Sequence, residues 1–119
     1  MTTKWVQRFS LFFIAFLLSI SVNISASAAD FTQGADISGN NVTLWFKSSV
    51  NTTWVDVHYK VNSGVQQNVR MSFNAGAARF EHTILTAAQA EIEYFFTYNN
   101  GVPAYDTTTF TYRSGQPDP

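Results

Sequence analysis

The chain has no cysteine, which excludes disulfides, thiolate metal sites and cysteine nucleophiles. Charge is also scarce. Only 13% of the 119 residues are Asp, Glu, Lys or Arg, about half the usual share of a folded domain. With a net charge of −1 there is no basic surface of the kind a phosphate-driven nucleic-acid binder requires. Histidine is limited to His58 and His82, without the repeated ligand spacing of a structural zinc site. The acids are scattered rather than paired across a cleft. No nucleophile elbow is present, nor a Ser-His-Asp order with local support. Internal repeats, low-complexity segments and, past the N-terminus, helical periodicity are missing as well. These absences argue against an enzyme, and no cofactor or metal is expected.

The chain does have hydrophobic residues at 45% and aromatic residues at 16%. The first block of these belongs to a targeting segment. Lys4 and Arg8 open the chain, Phe9 to Val22 is mostly apolar and uncharged, and Ala26-Ser27-Ala28 follows. This order of basic start, apolar run and small-residue cleavage site is that of a secretory signal peptide over residues 1–28. The run is short of the roughly 20 residues of a membrane span, so no membrane association is expected after cleavage. The mature domain, residues 30–113, keeps five basic against eight acidic side chains, counting Asp118 beyond it, a net charge of −3. Residues 114–119 read as a linker-like tail.

The mature sequence alternates in short runs broken by turn residues, the pattern of an all-β domain. Ala35 to Ser38 reads as a short first strand. Val42, Leu44 and Phe46 face inward in the second, with Thr43, Trp45 and Lys47 outward. Val55, Val57, Tyr59 and Val61 read as core, against Trp54, Asp56, His58 and Lys60 outward. Asn62-Ser63-Gly64 signals a hairpin with positive φ at the glycine. Val65, Gln67, Val69, Met71 and Phe73 form the next inward set. Ala78, Phe80, His82 and Ile84 follow, then a loop over Thr86 to Ala90. Ile92, Tyr94, Phe96 and Tyr98 make an inward aromatic stripe, with Glu91, Glu93, Phe95 and Thr97 outward, and Phe110 and Tyr112 close the domain. Turns every 8–12 residues and about seven strands predict an immunoglobulin-like antiparallel β-sandwich, with a small closed barrel as the alternative.

Two mature tryptophans, Trp45 and Trp54, fall on outward positions, and large exposed apolar rings are the informative exception on a soluble domain. Around Trp54 stand Asp56, His58 and Lys60, joined by Gln66, Asn68 and Arg70 if the next run pairs back as a hairpin. An open ring face suits the weakly positive C–H face of a pyranose, and the polar groups suit its hydroxyls.

Several segments resemble the family 56 carbohydrate-binding modules. They are Phe31 to Asp36, Asn41 to Ser48, Thr53 to Asn62, Gln66 to Met71, Ile92 to Gly101, and Tyr105-Asp106. The run Trp54-Val55-Asp56-Val57-His58-Tyr59 is the most specific. The resemblance covers nearly all of the mature chain. It implies a non-catalytic β-sandwich that binds β-1,3-glucan of the laminarin or curdlan type, in modules that sit on secreted bacterial glucanases. The expectation is therefore a secreted, monomeric β-1,3-glucan binder. Trp54 would be its stacking platform, Asp56, His58 and Arg70 its hydroxyl readers, and Trp45, Glu93 and Phe95 further candidates. A cell-surface protein-interaction domain is the alternative.

Overall fold

The structure, a computed structural model, describes residues 30–115. The expected signal peptide lies outside the described residues, as does most of the expected tail. Nine strands are described, two more than expected. They are β1 (Phe31–Ser38), β2 (Asn41–Ser48), β3 (Val55–Val61), β4 (Gln67–Arg70), β5 (Ser72–Asn74), β6 (Arg79–Ile84), β7 (Ile92–Asn99), β8 (Ala104–Asp106) and β9 (Phe110–Tyr112). All pairings are antiparallel, and they form two sheets. One runs β9-β7-β3-β4 with β8 also paired to β7, and the other runs β1-β2-β6-β5. The inner faces of the two sheets enclose the core of a sandwich.

The core follows the alternation. Val42, Leu44 and Phe46 from β2 meet Val55 and Val57 from β3 and Ile92, Tyr94, Phe96 and Tyr98 from β7, all with no exposed surface. Phe46 is the aromatic hub: its ring lies 4.8 Å from Phe31, 5.1 Å from Phe96 and 5.0 Å from Tyr98. Rings at such spacing and tilt add to area burial, as a core without disulfides requires. The tyrosines bury their rings and give their hydroxyls partners at the rim. Tyr94 donates to Gln33 at 2.8 Å, Tyr98 to Asp30 at 2.7 Å and Tyr112 to the Ala88 carbonyl at 2.8 Å.

Four expectations need correction. The first strand begins at Phe31 rather than Ala35, because every residue from Phe31 to Ser38 pairs with β2. The run from Val65 to Phe73 is not one strand. It changes sheets at Met71, which is buried and donates its N–H to the Val55 carbonyl at 2.9 Å. Val65 therefore stays outside the core, 81% exposed, and Phe73, on the short edge strand β5, is 57% exposed and touches Phe80 edge-on. In the Asn62-Ser63-Gly64 turn the positive φ values belong to Asn62 and Ser63, at 51° and 60°. Gly64 serves a different purpose, since a Cβ there would stand 2.9 Å from the Val61 carbonyl oxygen.

Candidate functional site

The hairpin β3–β4 pairs in the register that gathers the polar residues. Asp56 faces Arg70 and His58 faces Asn68. On the other side of β3, Asp56 faces Thr97, His58 faces Phe95 and Lys60 faces Glu93 of β7. Beyond β7, Thr97 faces Asp106 of β8. Since residues two apart share a face, the outer surface of the five-stranded sheet carries Trp54, Asp56, His58, Lys60, Asn68, Arg70, Glu93, Phe95, Thr97 and Asp106 together.

Trp54 just precedes β3 and is half-buried. Its position is set by Asn99, a buried side chain whose Oδ1 accepts the N–H groups of Thr53 at 2.9 Å and Trp54 at 3.1 Å. The Asn99 amide nitrogen donates in turn to Thr53 Oγ1 and the Gly101 carbonyl. Above the indole, the Arg70 guanidinium carbon lies 5.0 Å from the ring centroid, a cation–π distance. Arg70 Nε donates to Asp56 Oδ1 at 2.5 Å, and that bond raises the Arg70 pKa above the ordinary arginine value. Arg70 remains 62% exposed and Asp56 30%, so both present hydrogen-bonding atoms to solvent.

His58 stacks on Phe95, with centroids 4.5 Å apart and planes 23° from parallel. Its ring nitrogens are both engaged by the protein: Nδ1 is 2.7 Å from Asn68 Oδ1 and Nε2 is 2.8 Å from Thr97 Oγ1. Beside this stack is an open depression lined by His58, Tyr59, Lys60, Gln66, Glu93, Tyr94, Phe95 and Thr109. Six of the seven site residues expected from the sequence, Trp54, Asp56, His58, Arg70, Glu93 and Phe95, therefore share this surface.

Trp45 does not. It is on β2, on the outer face of the opposite sheet. Its indole lies over Gly34, donates from Nε1 to Asp36 Oδ1 at 3.3 Å, and has the Arg79 guanidinium 4.8 Å from its centroid. Arg79 donates from Nε to Glu81 at 2.6 Å and from Nη2 to Asp36 at 2.7 Å. The two carboxylates, Glu81 foremost, raise its pKa. The ring is thus tied into a salt-bridged lattice across β1, β2 and β6. His82 faces inward as expected and is half-buried. It stands 3.3 Å from the Tyr59 hydroxyl, and burial lowers its pKa. Among the described residues no three His, Asp or Glu side chains cluster in a way that could hold a metal ion.

The sequence puts Asn68 and Thr97 at outward positions without giving either a role, and it gives no sign that Asp106 joins this face. Outward alternation along β7 is a signal for Thr97. Asp106 has none, because three residues after a proline do not read as a strand.

The model of carbohydrate-binding module family 56 matches residues 33–107. A solved β-1,3-glucan-binding domain of that family is 98% identical, over 71% of this chain and 100% of its own length, with a TM-score of 0.70. A laminaripentaose-producing β-1,3-glucanase of glycoside hydrolase family 64 from Paenibacillus barengoltzii is 95% identical over 74% of this chain, also at a TM-score of 0.70. The match takes in only 21% of that glucanase. A Br derivative of the module BhCBM56 is 38% identical over 74% of this chain and 96% of its own, with a TM-score of 0.66. A domain with this sandwich, this aromatic and polar face and these relatives is a member of carbohydrate-binding module family 56.

Proposed function

We propose that the domain is a secreted, non-catalytic β-1,3-glucan-binding module that adsorbs its polymer on the outer face of the five-stranded sheet. The observation that carries this reading is the Trp54–Arg70–Asp56 group beside the His58–Phe95 stack, aromatic rings and unsaturated hydrogen-bonding groups on one exposed surface. Rings offer a pyranose its C–H stacking partner, and Asp56, Arg70 and Glu93 offer hydroxyl partners. The 98% identical β-1,3-glucan-binding domain and the glucanase solved with laminarihexaose support the choice of glucan.

The face is shallow and open, so binding per site is expected to be weak, on the order of micromolar to millimolar. A polymer of many repeats raises retention through multivalency. Glucan is neutral, so retention should depend little on salt, unlike phosphate-driven binding.

The test is a pull-down of the protein on insoluble curdlan, with cellulose and chitin alongside, at low and high salt. Retention on curdlan at both salts is expected, with no reducing sugar released from laminarin. Protein left in the supernatant with curdlan would reject the reading and favour a protein-interaction domain. Sugar release by pure protein would make the chain an enzyme.

A further inference from the structure

A line of side-chain hydrogen bonds crosses the candidate face through four strands or their flanks. Asp106 Oδ1 accepts from Thr97 Oγ1 at 2.6 Å. Thr97 Oγ1 is 2.8 Å from His58 Nε2, and His58 Nδ1 is 2.7 Å from Asn68 Oδ1. Gln66 Nε2 donates to that same Asn68 oxygen at 2.9 Å.

Counting protons gives the line a direction. A carboxylate only accepts, and a hydroxyl has one proton to give. Thr97 therefore donates to Asp106 and accepts from His58, which places a hydrogen on Nε2. At the other edge of the ring Nδ1 stands 2.7 Å from Asn68 Oδ1, the same oxygen that accepts from Gln66 Nε2. Phe95, stacked at 4.5 Å, restrains the ring from tilting. The Asn68 oxygen is engaged twice and points inward along the line. Its NH2 group has no bond to another described residue, and the side chain is exposed.

We propose that Asn68 is a glucan-contacting residue that donates through Nδ2 to a sugar hydroxyl, and that Thr97 and Asp106 are positioning residues that hold this amide outward by way of His58. The inference rests on the glucan reading of the face and deepens it. His58 contributes through Asn68 and not by offering its own nitrogens to the sugar. A donor fixed in advance loses less freedom on binding than a rotating one.

The experiment compares wild type with Asn68→Asp, Thr97→Val and Thr97→Ser in three measurements. These are retention on curdlan, the thermal midpoint, and the imidazole N–H signals by 15N NMR. Asn68→Asp keeps the oxygen that faces His58 and removes the donor. It is expected to bind about fivefold or more weakly, the scale of one lost hydrogen bond with its partner left unpaired. Thr97→Val should lose a comparable factor together with the protected Nε2–H signal of His58, and Thr97→Ser should restore both. Curdlan binding by Asn68→Asp or Thr97→Val at wild-type strength overturns this inference and leaves the glucan reading standing. Failure of wild type itself to bind curdlan overturns both.

Discussion

Gly34 and Trp45 face each other across β1 and β2, and the indole lies so close over the glycine that a Cβ there would stand 2.8 Å from Cζ2. Trp45 cannot swing aside freely, because Asp36 and Arg79 hold it. Gly34→Ala should therefore destabilise the fold by about 1–3 kcal/mol, the usual cost of overpacking. Urea denaturation checks it. Glucan retention by the folded fraction should be unchanged, since this sheet faces away from Trp54.

Trp54 stands on the other sheet, half-buried, with the Arg70 guanidinium over its ring. Trp54→Ala should cost about tenfold or more in retention on curdlan, which corresponds to about 1.4 kcal/mol or more. The thermal midpoint should move by only a few degrees. A large loss of stability would show instead that the indole is a packing element.

The Asn99 side chain makes four hydrogen bonds from a buried position, two of them to the backbone that carries Trp54 into β3. Asn99→Ala leaves those N–H groups without their acceptor, and a loss of about 3 kcal/mol is expected. Asn99→Asp keeps the acceptor but loses both donors and should also destabilise. In both variants glucan retention should fall further than the folded fraction does, because the tryptophan loses its anchor.

Tyr98 contributes to a decline of stability at alkaline pH. Burial, then the Asp30 carboxylate that accepts its hydroxyl, pushes the Tyr98 pKa well above that of free tyrosine. The unfolded tyrosine gives up its proton near pH 10, while the folded one keeps it. Above about pH 10 the unfolded state binds fewer protons, so stability falls as pH rises, by up to about 1.4 kcal/mol per pH unit from this group. Below that pH its contribution is fully present. Tyr98→Phe should be less stable than wild type at neutral pH and should lack this share of the alkaline decline. Denaturant midpoints at several pH values check both.

The inward set of β2, β3 and β7 and the outward position of both tryptophans were legible in the sequence, because strict alternation over seven or eight residues leaves one choice of face. Three features were hidden for physical reasons. Alternation continues through a change of sheet, so nothing local marks Met71 as the crossing point. Val65 and Phe73 looked like core because period two reports a face and not what covers it. Trp45 and Trp54 had the same local signal, and only the pairing order of the strands shows that they stand on opposite sides of the sandwich.

The proposed glucan face and the hydrophobic interior are built from alternate residues of the same strands: Asp56 and His58 alternate with Val55, Val57 and Tyr59, and Phe95 and Thr97 with Tyr94, Phe96 and Tyr98. A slip of one position in β3 or β7 would turn the apolar set to water and the polar set inward at once. If this face is the glucan platform, capture on glucan beads acts as a fidelity filter during preparation, since a mispaired molecule has no platform to be captured by.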